Sequence, residues 1–212
     1  MPKIEPFEKY RDAYDEWFDR NRDLYEAELK TIRLLMAESD SSPGLEVGVG
    51  TGKFAVPLGI KNGVEPSEQM AAKAEERGIT VHSGIAEKLP FPDATFKFVL
   101  MVTTICFVDD ITASFKEAFR VLQPYGYIII GFVDKGSELG QLYRKNRKKS
   151  RFYGNATFYT VNDVLGHLKN AGFHTDRIKQ TLIPGEAPET ILDGSGSGAF
   201  VAVKGTKPAV SV

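Results

Sequence analysis

Cysteine and histidine are scarce in this chain: one cysteine, Cys106, and three scattered histidines, His82, His167 and His174, in 212 residues. A single thiol excludes an intrachain disulfide framework, and no Cys/His cluster has metal-ligand spacing, so no metal is expected. No histidine forms a recognisable pair with a nucleophile. Charge of one sign is not in excess either. The 27 Lys and Arg residues against 28 Asp and Glu leave a net charge of -1, with no overall pull toward a polyanion. No run of roughly 18 apolar residues is present, and the opening Met-Pro-Lys-Ile-Glu-Pro does not read as a secretory signal. These absences predict a cytoplasmic protein with no membrane partner. At 42% hydrophobic residues, the chain has enough apolar material for one domain with a full core.

The most specific signal present is Leu45-Glu46-Val47-Gly48-Val49-Gly50-Thr51-Gly52-Lys53-Phe54. A short apolar strand carrying an acid leads into three glycines at alternate positions. Such a loop lets the backbone lie flat against a ligand, and glycine tolerates the positive φ of the turn. At the carboxyl end of a parallel strand, this is where α/β proteins bind nucleotides. Two similar motifs are excluded. The dinucleotide fingerprint needs glycine at position 53, where Lys53 stands. A phosphate-binding Walker loop needs glycine at Val47 and a hydroxyl at Phe54.

Along the rest of the chain, helical spacing of Tyr10, Tyr14, Trp17, Phe18, Leu24, Tyr25, Leu29, Ile32 and Leu35 predicts two helices or one bent helix over 7–36, ending before Ser39. Strands are predicted at 45–49, 60–65, 79–82, 96–102 and 127–133. Helices are predicted from Gly52, from the N-cap Ser67 to Glu76, and over 111–122. The nearly all-apolar run 96–102 suits a central strand buried on both faces. A helix at 161–170 and strands at 173–182 and 199–204 close the pattern. The segment 184–198 is read as a linker and 205–212 as a frayed tail. Alternation of strand and helix predicts an α/β, doubly wound, parallel Rossmann-like sheet with helices on both faces.

The glycine loop, with Glu46 as its acid, resembles motif I of the class I S-adenosylmethionine (SAM)-dependent methyltransferases. Gly63-Val64-Glu65-Pro66-Ser67 is similar to motif II of that family. Leu89-Pro90-Phe91-Pro92-Asp93, the helix and turn Glu117 to Pro124, and Ala171-Gly172-Phe173 extend the resemblance over 45–204. The resemblance implies seven strands in the order 3-2-1-4-5-7-6, with strand seven antiparallel. It divides a single domain, 1–212, into an N-terminal helical lid (1–44), a SAM-binding core (45–135), an insert near the acceptor site (136–159) and a C-terminal helix and β-hairpin (160–204). It implies S-adenosyl-L-methionine as cofactor, held by Glu46, Gly48, Gly50, Gly52, Glu65, Pro66, Ile85, Ala86, Thr103 and Thr104. Glu65 would take both ribose hydroxyls, since a carboxylate accepts what a vicinal diol donates; the other job for an acid at a strand end is capping the next helix.

Three positions depart from the pattern. Ile85 stands where many members carry an Asp that accepts the adenine amino group, and loss of that acceptor would weaken cofactor affinity by ~1–3 kcal/mol unless water substitutes. Lys97 replaces an Asp at an outer position of strand four, and Tyr125 replaces the first glycine of a Pro-Gly-Gly turn.

Methyl transfer from a sulfonium is an in-line displacement, so the protein mainly positions the nucleophile and excludes water. No catalytic residue is identifiable. Thr103 and Thr104 either touch the methionine moiety or satisfy their hydroxyls within the sheet. Tyr14 and Trp17 line the acceptor pocket or belong to a core stripe, and are favoured over residues of the second helix. Cys106 is a pocket candidate or a small buried hydrophobe. Asp109 is a base or, with Asp110, a helix N-cap. Six basic residues between Arg144 and Arg151 form a solvated helix face or grip an anionic acceptor. The first expectation is a small-molecule methyltransferase. An RNA or protein methyltransferase using the basic insert is the alternative, nucleic acid being less favoured as a partner. A SAM-binding protein without transfer activity is the reading from another class.

Overall fold

The apolar run Phe96–Val102 becomes a strand from which only Lys97 reaches solvent. The computed structural model of the chain describes residues 4–36 and 43–209. Its strands are β1 (Gly44–Val47), β2 (Asn62–Glu65), β3 (Thr80–Ser83), β4 (Phe96–Val102), β5 (Leu122–Val133), β6 (His174–Thr181), β7 (Leu192–Asp193) and β8 (Phe200–Thr206). They form one sheet in the order β3-β2-β1-β4-β5-β8-β6-β7. The first five pair in parallel; β8 runs antiparallel to both β5 and β6. The expected order is met with β8 as the seventh strand of the pattern, and β7 adds a two-residue edge.

The helices are α1 (Glu5–Lys9), α2 (Arg11–Arg20), α3 (Arg22–Arg33), α4 (Ala55–Leu58), α5 (Glu68–Glu76), α6 (Ile111–Val121), α7 (Glu138–Asn146) and α8 (Val161–Asn170). Alternate residues of the central strands point to opposite layers. Val99, Met101, Ile128 and Ile130 pack with Phe115 of α6 and Leu168 of α8. Phe98, Leu100, Val102 and Ile129 pack with Ile32 of α3, Ala55 of α4 and Ala74 of α5. Thus α3 forms part of the sheet's helical layer. The caps follow the side chains: Ser67 Oγ accepts from Met70 N, Asp110 Oδ1 from Ala113 N, and Thr160 forms a capping box with Asp163.

Three expectations are corrected. The N-terminal segment is three helices, not two, with breaks at Tyr10 and Asn21; the expected end near Ser39 lies outside the described residues. The helix expected from Gly52 is only the short α4. The supposed tail is partly core: β8 reaches Thr206, and buried Lys207 donates to Phe119 O and Leu122 O at 2.7 Å each. Residues 210–212 lie outside the described residues. Among the described residues no helix is long and apolar enough to cross a membrane.

Candidate active site

Strand order reverses between β1 and β4, and a cleft opens at their carboxyl ends, as expected at a topological switch point. It encloses about 1380 Å³, counting solvent at its mouth.

The glycine loop forms one wall. Gly48 has φ +71°, and a Cβ there would lie 2.5 Å from Thr104 Cγ2, so only glycine fits. Gly50 has φ +55°, and its would-be Cβ faces Tyr14 Oη at 3.4 Å. The Gly50 amide donates to Glu65 Oε2 at 2.9 Å, and Ser67 N donates to Oε1 at 3.1 Å. The carboxylate is therefore aimed by two backbone donors. Burial nevertheless pushes Glu65 up to about 7, against the lowering effect of the Ser67 and Gly50 amides. Glu46 is 2% exposed and sits outside the lining. Burial raises its carboxyl well above the usual range, Ala55 N–H opposes this, and its Oε2 has no hydrogen-bond partner.

Pro66, Ile85, Ala86, Thr103 and Thr104 all line the cleft; Gly52 does not, and packs toward Ala74 and Ile79. Thr103 adopts φ +50°, unusual for a β-branched residue, while its amide donates to Gly131 O at 2.8 Å. Thr104 Oγ1 is satisfied within the sheet by Val102 O (3.0 Å) and Val47 O (3.2 Å). Tyr14 and Trp17 line the cleft, joined by Leu24 and Glu28 of α3.

Cys106 does not line this cleft. It lies in a small cavity behind the shared wall of Thr103, Val133 and Tyr153, its Sγ 3.2 Å from Thr103 O, in an apolar cluster with Ala156 and Phe158. The loop after β4 turns the side chain away from the cleft. The N-cap of α6 is Asp110; the amides of Asp109 and Asp110 both donate to Glu87 Oε1, at 2.7 and 3.1 Å. The six basic residues of the insert are exposed and outside the lining; the aromatics beside them, Tyr143, Phe152 and Tyr153, face inward.

Sequence reasoning missed most of this aromatic wall. Phe7 stacks on Phe152 at 5.5 Å and meets Phe107 edge-on at 4.8 Å. Tyr153 stacks on Phe107 and Tyr143 at 5.9 and 5.3 Å. Its members come from three sequence-distant segments, the amino-terminal helices, the turn after β4 and the insert, so no local period marks them. Glu28 was also missed. It is 6% exposed, and burial alone pushes its carboxyl up to about 8.

A polar latch holds α2 against the glycine loop. Asp15 accepts from Thr51 Oγ1 at 2.6 Å and from Arg77 Nη2 at 2.5 Å, and Arg77 Nη1 also donates to Thr51 O. Burial would raise the Asp15 carboxyl, but these partners hold it below its ordinary value. Lys73 joins α5 to Asp12 at 2.7 Å.

Residues 45–130 match the family model of the methyltransferase domain. A crystal structure of a SAM-dependent methyltransferase from Thermotoga maritima, described as a possible histamine N-methyltransferase, is 46% identical with a TM-score of 0.91. The match covers 96% of this chain and 99% of that one. The chain belongs to the SAM-dependent methyltransferases. The Methanocaldococcus jannaschii protein MJ1123 is 40% identical over 204 residues, 95% of this chain and 98% of its own. A demethylmenaquinone methyltransferase from Chlorobaculum parvum is 33% identical over 108 residues, 47% of this chain and 45% of its own. The cofactor of this methyltransferase is S-adenosylmethionine, and the residues present fit it: a side-chain-free loop, an acid aimed by two amides and an orphaned carboxylate oxygen beneath them. Among the described residues no group of three or more His, Cys, Asp or Glu could hold a metal.

Proposed function

We propose that this methyltransferase acts on a small organic acceptor held among the aromatic side chains, with the cofactor along Gly48 and Gly50 and its ribose on Glu65. The bound cofactor supplies a methyl group on a sulfonium, passed to the acceptor by in-line displacement. The chain's own work is placement and exclusion of water. Glu65, already held by two amides, keeps lone pairs for a diol. Ile85 and Ala86 border the adenine side, with Ile85 offering only backbone groups. Thr103 presents its strained backbone to the cleft. Glu46 would act from beneath the loop, through its unpartnered oxygen. The N-terminal helices α1 and α2 and the insert 136–159 form a roof, meeting at Phe7 and Phe152.

One observation carries the small-acceptor reading. The inward face of the insert is aromatic and its basic residues point to solvent, away from the cleft. The acceptors in the names of the Thermotoga maritima and Chlorobaculum parvum relatives are also small molecules. Calorimetry with S-adenosylhomocysteine, with NADH as control, tests the cofactor half: micromolar binding of the first alone is expected. Turnover on an organic acceptor should change little with salt. A steep loss of acceptor binding with salt would instead favour a polyanionic acceptor on the basic face.

A further inference from the structure

Glu28 is a carboxyl group that the fold places at a cost and leaves unused. It sits in the middle of α3, 6% exposed, and borders the cleft. Among the described residues it has no hydrogen-bond or ion-pair partner, and burial is the sole influence on its titration, raising it to about 8. The other buried polar residue on that helix behaves differently. Thr31 returns its hydroxyl to Ala27 O at 2.8 Å. A buried acid without a partner destabilises a fold, and an apolar side chain of similar size would pack there at no such penalty.

The surroundings of Glu28 indicate what would match it. Glu28 shares the lining of the cleft with Tyr14, Tyr143 and Tyr153, whose phenols are raised chiefly by burial and in small part by the Glu28 charge. Glu65 is tied to the glycine loop through Gly50 N, whereas Glu28 stands on α3 and Tyr143 on α7 of the insert. Glu28 therefore reaches the cleft from a different element than the acid assigned to the cofactor ribose. A lone carboxyl beside several aromatic rings is the chemistry that selects an organic cation, by charge-assisted hydrogen bonds and by ring faces.

We infer that Glu28 anchors the acceptor, and that the acceptor carries a basic nitrogen that pairs with this carboxyl while its apolar body lies among Tyr14, Tyr143 and Tyr153. This rests on the reading of the cleft as the methyl-transfer site. Glu28 is a binding and specificity residue here; which atom receives the methyl group is a separate matter.

The test is calorimetry on wild type and Glu28→Gln, both first titrated with S-adenosylhomocysteine and then, loaded with it, with aryl- and alkylamines against their alcohol isosteres. The lead pair is 2-phenylethylamine and 2-phenylethanol. Wild type should prefer amines by about tenfold or more, and Glu28→Gln should bring the pair within roughly threefold. Amine binding to wild type near neutral pH should also release close to one proton, seen as a dependence of heat on buffer, because an acid held neutral by burial ionises beside a cation. Glu28→Gln should bind S-adenosylhomocysteine as wild type does. No amine preference anywhere in the panel, a preference that survives in Glu28→Gln, or S-adenosylhomocysteine affinity that falls with the substitution would each overturn the assignment. The last would give Glu28 to the cofactor's own ammonium group. If wild type fails to bind S-adenosylhomocysteine at all, the methyl-transfer reading itself fails, and Glu28 with it.

Discussion

The backbone amide of Gly50 and the carboxylate of Glu65 meet at 2.9 Å, joining the loop after β1 to the end of β2. This bond makes the two motifs one unit, since the acid proposed to hold the ribose also fixes the loop the cofactor would lie on. Glu65→Ala should therefore remove ligand contacts and orphan the Gly50 and Ser67 amides. Affinity for S-adenosylhomocysteine should fall by ~2 kcal/mol or more, read by calorimetry. Unchanged affinity in a folded variant would remove Glu65 from the site.

Gly48 and Gly50 should fail in different ways. Gly48→Ala drives a Cβ into Thr104 at 2.5 Å, so it should lower the thermal midpoint markedly, with a cost of ~2 kcal/mol or more from overpacking and positive φ. Gly50→Val projects into the cleft, where Tyr14 Oη and Met70 Cε leave ordinary contact distances of 3.4 and 3.6 Å; it should abolish cofactor binding, at a stability cost from the positive φ alone rather than from overpacking. Parallel denaturation and binding curves on the two variants check this.

Stability of the ligand-free protein should depend on pH through Glu28. Its folded-state value, about 8, is above the ordinary 4.5. Its stabilising contribution is thus fully present below 4.5 and is lost as pH rises through about 8. Glu65, at about 7, acts in the same direction. Wild type and Glu28→Gln should have similar midpoints at about pH 4.5, with the variant more stable by roughly 5 kcal/mol above about pH 8. A constant difference across that range would mean that Glu28 titrates normally.

The latch at Asp15 should govern how firmly α2 lies on the loop. Asp15→Ala removes the Arg77 and Thr51 contacts of a side chain only 13% exposed, and should cost about 1–2 kcal/mol. Hydrogen exchange over residues 5–20 should speed up far more than exchange in β4, which tells local opening from global loss.

Tyr125 occupies the left-handed region at φ +62° and is 71% exposed. Glycine adopts that conformation freely, so Tyr125→Gly should raise stability by up to about 1 kcal/mol, less the entropy of a freer unfolded chain. The thermal midpoint decides the sign.

The sheet was legible because its signals are local. Val99 to Val102 and Ile128 to Ile130 announce buried strands, and the alternate glycines announce the loop that β1 feeds. Glu65 was legible for the same reason, as a strand-end acid after a short helix. Other parts of the site depend on tertiary placement. Cys106 is one residue off in the turn after β4, enough to send its thiol into the neighbouring cavity. Glu28 reads in sequence as one more charge on an amphipathic helix. Only packing α3 against the sheet, with Ala27, Thr31 and Ile32, reveals that it is buried. The edge strand β7 has two residues amid Gly and Ser, too few to show a period.

The α3 helix rests on β5, β6 and β8, all of which follow it in the chain. Phe7, near the amino end, likewise needs Phe152 from the far side of the chain. A growing chain can therefore complete the glycine loop and β4 long before it can enclose an acceptor. During synthesis the acceptor chamber matures after the glycine loop, and a chain truncated before the insert would carry that loop without Tyr143, Phe152 and Tyr153 to close the chamber.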